Sequence, residues 1–137
     1  MRKWSIEDDP ADEDLAEISA GVIEFGRAEA AGGSAKPIAC FLREGKAITA
    51  GATGRTEFER LFVSYIWVRE DLRGAGLGST ALKGIEDAAH KRGARDSLIE
   101  TLSDRTAGLY RRCGYLEIAS IFRYVGPFTK YVMLKKL

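Results

Sequence analysis

Apolar positions along the chain switch between two periods, and the switches mark its elements. Residues 2–7 (RKWSIE) alternate weakly and predict a short first strand. Asp8-Asp9-Pro10 reads as a stop followed by a helix start, with Asp9 as N-cap and Pro10 at the first helical position. Leu15, Ile18, Val22, Ile23 and Phe25 follow at helical spacing and predict an amphipathic helix over residues 11–29. Ala31-Gly32-Gly33-Ser34 ends it as a flexible loop. From there the period falls to two. Pro37 to Leu42 predicts a strand, Glu44-Gly45-Lys46 a tight turn, and Ala47 to Thr53 a second strand. Within that strand Gly51 marks a bulge or a close backbone approach. Gly54-Arg55-Thr56-Glu57 predicts another turn. The run Leu61 to Val68 is apolar on both faces, the pattern of a central strand covered on both sides, so Tyr65 and Trp67 read as core.

Helical spacing returns after a basic, glycine-rich turn. Leu77, Ala81, Ile85 and Ala88 or Ala89 repeat at three and four, with Lys83, Glu86, Asp87, Lys91 and Arg92 opposite and Gly93 as the C′ residue. Ser97 to Leu102 predicts a short strand. A helix over residues 105–112, N-capped by Asp104, carries Tyr110 and ends at Gly114. Two final strands, Tyr115 to Tyr124 and Thr129 to Lys135, flank the Gly126-Pro127 turn. The order is β-α-βββ-α-β-α-ββ. Hairpins in the first half and one strand–helix–strand crossover at residues 61–102 predict an α/β fold, a mixed sheet with helices on both faces.

Composition narrows this picture without redirecting it. A chain of 137 residues reads as one domain over 1–137, long enough to bury a core. Its 21 Lys and Arg against 20 Asp and Glu leave a net charge of +1, which offers no bulk attraction to nucleic acid or to a membrane surface. The two cysteines, Cys40 and Cys113, form no CxxC, and there is one histidine, His90, on the polar side of its helix. No metal site is expected, and the cysteines read as reduced thiols. The start turns acidic within seven residues and has no apolar h-region, and no apolar run reaches the length of a membrane span, so a cytoplasmic protein is expected.

The chemistry concentrates at Arg73-Gly74-Ala75-Gly76-Leu77-Gly78-Ser79. Three glycines within five residues remove the Cβ atoms that would keep a ligand off the backbone, just where the amides of a helix start are free. Those amides, the helix dipole and Arg73 suit a phosphate or pyrophosphate. A Walker A loop would need G-x-x-x-x-G-K-[ST], which does not occur. A dinucleotide fingerprint would need G-x-G-x-x-G directly after the strand, whereas residues 69–73 intervene and Ser79 follows. What remains is R-x-x-G-x-G at a helix start, spanning Arg73, Gly76 and Gly78.

That segment, from Val68 to Ser79, resembles the pyrophosphate motif of the GNAT superfamily of acetyl-CoA-dependent N-acetyltransferases. Ala107-Gly108-Leu109-Tyr110-Arg111-Arg112-Cys113-Gly114-Tyr115 is similar to the family's second motif, at the usual spacing. The resemblance covers about the last hundred residues. It implies a three-layer αβα sandwich whose mixed sheet splays between the 61–68 and 97–102 strands. The pantetheine arm of acetyl-CoA would lie in the opening along the backbone of Ile66, Trp67 and Val68. The pyrophosphate would rest on Arg73, Gly74, Ala75, Gly76, Leu77, Gly78 and Ser79. Tyr110 would be the acid that protonates the leaving thiolate, and a backbone N–H near Val68 the oxyanion donor. For the base, Glu57, Glu59 and Glu100 border the cleft; Glu100, which interrupts an apolar strand, is preferred, while a water relay or a low-pKa amine would do without any of them. Arg111 and Arg112 are either solvated helix-end cations or contacts to the nucleotide phosphates. Pro127-Phe128 stands where relatives usually carry a Gly-His step, and Thr106-Ala107-Gly108 where many carry Gln-Ala-Pro, both near the acceptor side. Those two departures keep a substrate from being carried over from relatives; the first expectation for the acceptor is a primary amine of a small molecule. The alternatives are a protein or peptide amine, or a non-catalytic acyl-CoA-binding module. Sheet edges of this fold admit pairing into a homodimer.

Overall fold

A computed structural model describes residues 1–29 and 34–137. The chain falls into two compact units, Met1–Ser34 and Ala35–Leu137. The loop expected at 31–34 lies, except for Ser34, outside the described residues.

In the first unit the helix α1 spans Asp12–Glu29, and none of its residues is buried. The strand expected at residues 2–7 does not form: among the described residues of this unit there is no strand to complete a ladder. The Asp14 and Leu15 amides bond to the Ala11 carbonyl at 3.1 and 3.2 Å, so the helix opens after Ala11. Pro10 and Asp9 therefore precede it. The start is instead marked by Asp12, Glu13 and Asp14, acids that favour the positive end of the helix dipole.

The second unit holds β1 (Lys36–Glu44), β2 (Ala47–Glu57), β3 (Arg60–Val68), α2 (Leu77–Lys91), β4 (Asp96–Thr101), α3 (Asp104–Arg112), β5 (Leu116–Val125) and β6 (Phe128–Lys136). Its six strands form one sheet in the order β1-β2-β3-β4-β6-β5. All neighbours are antiparallel except β3 and β4, which the α2 crossover makes parallel.

Two expectations for the first hairpins fail. Residues 54–57 are not a turn but the end of β2. A Cβ on Gly54 would lie 2.2 Å from the Phe62 carbonyl oxygen, so this glycine serves a close strand approach beside a bulge. The chain turns later, at Phe58, whose φ is 51°. At Gly51, by contrast, the close approach is there: its Cβ would sit 2.7 Å from the Cys40 carbonyl oxygen. Strand β3 is central in the order, yet Tyr65 is 78% and Trp67 50% exposed, so neither is core. Only the other side of β3 is packed, through Leu61, Val63 and Ile66.

Helices α2 and α3 share that packed face. Leu82, Ile85 and Ala89 from α2 and Ala107 and Tyr110 from α3 join Leu61, Ile99, Tyr115 and Met133 in one core. The helix α2 lies close on β1, because Gly84 presents no side chain: a Cβ there would come within 2.6 Å of Cys40 Sγ. Within this core sits one polar network. The Tyr115 hydroxyl donates to Glu86 Oε2 at 2.8 Å and lies 2.6 Å from Ser97 Oγ, and Lys135 Nζ donates to Glu86 Oε1 at 2.8 Å. Burial above all pushes the Tyr115 phenol well above its ordinary pKa.

Candidate active site

The β3–β4 ladder closes only three pairs: Arg60 with Asp96, Leu61 with Ser97, and Phe62 with Leu98. Beyond them β3 continues to Val68 and β4 to Thr101 without pairing to each other, so the sheet opens between two parallel strands. Unpaired backbone at a parallel opening is a ready partner for an extended polar ligand.

A cavity of about 270 Å³ beside this opening is lined by Ile66, Trp67, Val68, Arg73, Gly78 and Ser79, and from the α3 side by Leu109, Tyr110 and Cys113. A second, of about 430 Å³, shares Val68, Arg73, Gly78 and Ser79 and adds Gly74, Gly76, Leu77, Arg105 and Arg112. Nine of the ten backbone and turn positions expected to bind the cofactor thus border one or both cavities; Ala75 borders neither.

The turn has the shape of an anion cradle. Gly74 and Gly76 adopt φ of +85° and +79°, and a Cβ on either would meet nothing within 4 Å, so the space above them is open. Gly76 precedes α2 in the left-handed conformation and supplies no side-chain cap, which leaves the first amides of the helix to other partners. A 3-10 turn at Glu70–Leu72 brings Arg73 back under the strand, where its Nε donates to the Val68 carbonyl at 3.0 Å.

Uncompensated charge gathers at the same place. Arg55, Arg60, Arg69, Arg95 and Arg111 each pair with a carboxylate, and Arg92 donates to the Lys36 and Pro37 carbonyls. Arg73, Arg105 and Arg112 have no carboxylate partner among the described residues, and all three border the 430 Å³ cavity. Three uncompensated guanidinium groups around free helix amides fit a ligand carrying several phosphate charges. Arg105 was missed from the sequence. Its signal was the seven-residue spacing to Arg112, which sets both on one face of α3 two turns apart.

Ser103, not Asp104, caps α3: its Oγ accepts from the Thr106 amide at 3.2 Å. The helix thereby presents Tyr110, a residue only 7% exposed, with its ring tilted against Tyr115 and the centroids 6.1 Å apart. The Tyr110 hydroxyl makes no protein hydrogen bond among the described residues, and none of their buried side-chain oxygens lacks a partner, so it faces the cavity. Burial first, and the nearby Cys113 second, raise its pKa above the ordinary phenol value. It stays protonated at neutral pH. Cys113 Sγ lies 3.7 Å from Ser79 Oγ, tying the second motif to the glycine turn; nothing in the sequence predicted this thiol's place.

Glu100 is not brought to Tyr110. It borders a separate cavity of about 750 Å³ with Arg55, Phe62, Tyr65, Leu98, Tyr124 and Lys130. The strand alternation explains this: Ile99 points into the core, so Glu100 takes the opposite face. Its carboxylate holds Lys130 Nζ at 2.7 Å, while Glu57 and Glu59 pair with Arg55 and Arg95. Among the described residues no cluster of three or more His, Cys, Asp or Glu could hold a metal ion, and no helix is long and apolar enough to cross a membrane.

The profile of the Acetyltransferase (GNAT) family matches residues 2–115. The chain is 34% identical over 91 residues to the blasticidin-S acetyltransferase of Streptomyces morookaense, covering 66% of this chain and 67% of that one. A crystal structure from Agrobacterium tumefaciens, assigned as an acetyltransferase, superposes with a TM-score of 0.90 at 23% identity, over 99% of this chain and all of that one. A Bacillus anthracis structure, assigned as a streptothricin acetyltransferase and solved with acetyl coenzyme A, superposes with a TM-score of 0.64 at 14% identity over 74% of this chain and 62% of that one. The fold is that of these proteins, and the chain belongs to the GNAT acetyltransferase family.

Proposed function

We propose that this protein transfers the acetyl group of acetyl-CoA to a primary amine of a small molecule, directly and without a covalent enzyme intermediate. The observation that carries the reading is the run of shared residues joining the arginine-lined amide cradle to the cavity of Tyr110 at the sheet opening. One ligand with anionic phosphates at one end and a reactive group at the other suits both. A relative named for acetylating blasticidin S supports a small-molecule acceptor over a protein amine.

Acetyl-CoA, when bound, supplies the thioester whose carbonyl carbon forms the new C–N bond as its C–S bond breaks. Gly74, Gly76 and the first amides of α2, with Arg73, Arg105 and Arg112, hold its phosphates. Residues 66–68 offer backbone to its extended arm, and a backbone N–H near Val68 stabilises the oxyanion. The Tyr110 phenol gives its proton to the departing sulfur, a role its raised pKa suits because the acid form dominates at neutral pH. Glu100, or water beside it, takes the proton the amine loses. Pairing of Glu57, Glu59 and Glu100 with cations favours a second reading, an acyl-CoA-binding module without turnover.

Thiol release with acetyl-CoA and a panel of amines separates the two. Transfer by the wild type, reduced about 100-fold in kcat in Tyr110→Phe with acetyl-CoA affinity unchanged, supports the enzyme and its acid. Acetyl-CoA binding with no turnover of any amine, indifferent to Tyr110→Phe, refutes it.

A further inference from the structure

The cavity of about 750 Å³ is larger than either cavity of the donor cradle and has no part in it. It nevertheless draws on β3 at Tyr65, one residue before Ile66 enters the Tyr110 cavity, so the two lie on either side of the same strand opening. Resting on the acetyl-transfer reading above, we infer that this cavity receives the acceptor, and that the acceptor is an amine that also carries a carboxylate on an apolar or aromatic skeleton, an amino-acid-like zwitterion.

The charges of the lining carry the argument. Two cations and one carboxylate border the cavity. Lys130 is held by Glu100 at 2.7 Å and lies 4.7 Å from the centre of the Tyr124 ring, and the Glu100 contact raises its pKa, so it remains an ammonium. Arg55 lies over Phe62, its guanidinium carbon 4.2 Å from the ring centre. Its one carboxylate contact is through Nε, to Glu57 at a long 3.4 Å, which leaves both terminal nitrogens without a protein partner among the described residues. A bare amine entering as an ammonium would meet two fixed cations and compete with Lys130 for Glu100. A zwitterion brings its own compensation: its carboxylate pairs with the free fork of Arg55, and its amine sits beside Glu100. One guanidinium whose two terminal nitrogens are free matches one carboxylate better than a dianionic phosphate. Phe62, Leu98 and Tyr124 supply apolar and aromatic lining beside the charged groups, which suits an apolar or aromatic side chain.

Matched pairs that differ only in the carboxylate test this: phenylalanine against phenethylamine, and leucine against isopentylamine. Each is assayed for kcat/KM by thiol release at saturating acetyl-CoA, and for binding by calorimetry with and without CoA, so binding is read whether or not transfer occurs. The expected result is a preference of about tenfold or more for the carboxylated member, lost in Arg55→Met, partly kept in Arg55→Lys, with acetyl-CoA affinity unchanged in both. Equal or better use and binding of the decarboxylated amine, or binding of neither, overturns the inference while acetyl-CoA still binds. Failure of acetyl-CoA itself to bind would instead strike the donor reading.

Discussion

The buried carboxylate of Glu86 allows a sharp test of how this core is held. Its side chain is 3% exposed and is met by two donors, the Tyr115 hydroxyl and the Lys135 ammonium, each at 2.8 Å. Lys135→Met removes the only positive charge in the network and leaves a buried anion with one neutral donor. Breaking a buried pair from one side costs about 3–5 kcal/mol. Here Lys135 is 23% exposed, so water replaces part of the loss, and about 2 kcal/mol is expected. Glu86→Leu in the same chain then removes the stranded anion, while Tyr115 keeps a partner in Ser97 at 2.6 Å. The double variant should therefore recover about 1 kcal/mol relative to Lys135→Met, since apolar groups of similar volume can replace both partners at little cost. Urea unfolding followed by circular dichroism measures both values. A double variant less stable than Lys135→Met would refute the reasoning. So would a single-variant cost below about 0.5 kcal/mol, the range of solvent-screened surface pairs.

Four further outcomes follow from particular contacts. Gly76→Val should raise the acetyl-CoA dissociation constant by calorimetry about tenfold or more, because a φ of +79° costs a β-branched residue about 1–2 kcal/mol and the turn must change shape to relieve it. Arg105→Ala with Arg112→Ala should weaken acetyl-CoA binding and flatten its dependence on salt, without moving the unfolding midpoint. Gly84→Ala should destabilise by about 1–3 kcal/mol through the 2.6 Å approach to Cys40 Sγ, and Cys40→Ala should restore most of it in urea titrations. Arg60, bonded to Asp96 at 2.7 and 2.9 Å, holds that carboxyl below its ordinary pKa; the stabilisation is present above about pH 4 and fades as acid protonates Asp96, so Arg60→Gln should raise the acid unfolding midpoint.

The elements of the second unit were largely legible because each carries its own period and its own stops. The apolar runs and the i, i+3, i+4 spacing around Ile85 are local facts about the chain, and strands and helices formed within a few residues of where they were expected. The misreadings share one physical origin. Residues 54–57 look like a turn because Gly and charged residues usually punctuate; only the neighbouring backbone of Phe62 shows that Gly54 is there to let two strands approach. Residues 2–7 alternate like a strand, but alternation supplies no hydrogen-bond partner.

The glycine turn could be proposed as a phosphate cradle from the sequence, because such a cradle is built from consecutive residues at a helix start. Where charge is compensated is a different kind of fact. That Arg73, Arg105 and Arg112 lack carboxylate partners while Arg55, Arg60 and Arg69 have them depends on which side chains meet across strands and helices. The same holds for Glu100, whose place beside Lys130 and across the sheet from Tyr110 follows from pleat alternation and the β4–β6 ladder. Sequence determined most of the strands and helices and the glycine-rich turn, since local spacing encodes them. Tertiary structure alone decided which charges are paired and where the cavities beside the sheet opening lie, since those depend on contacts between residues far apart in the chain.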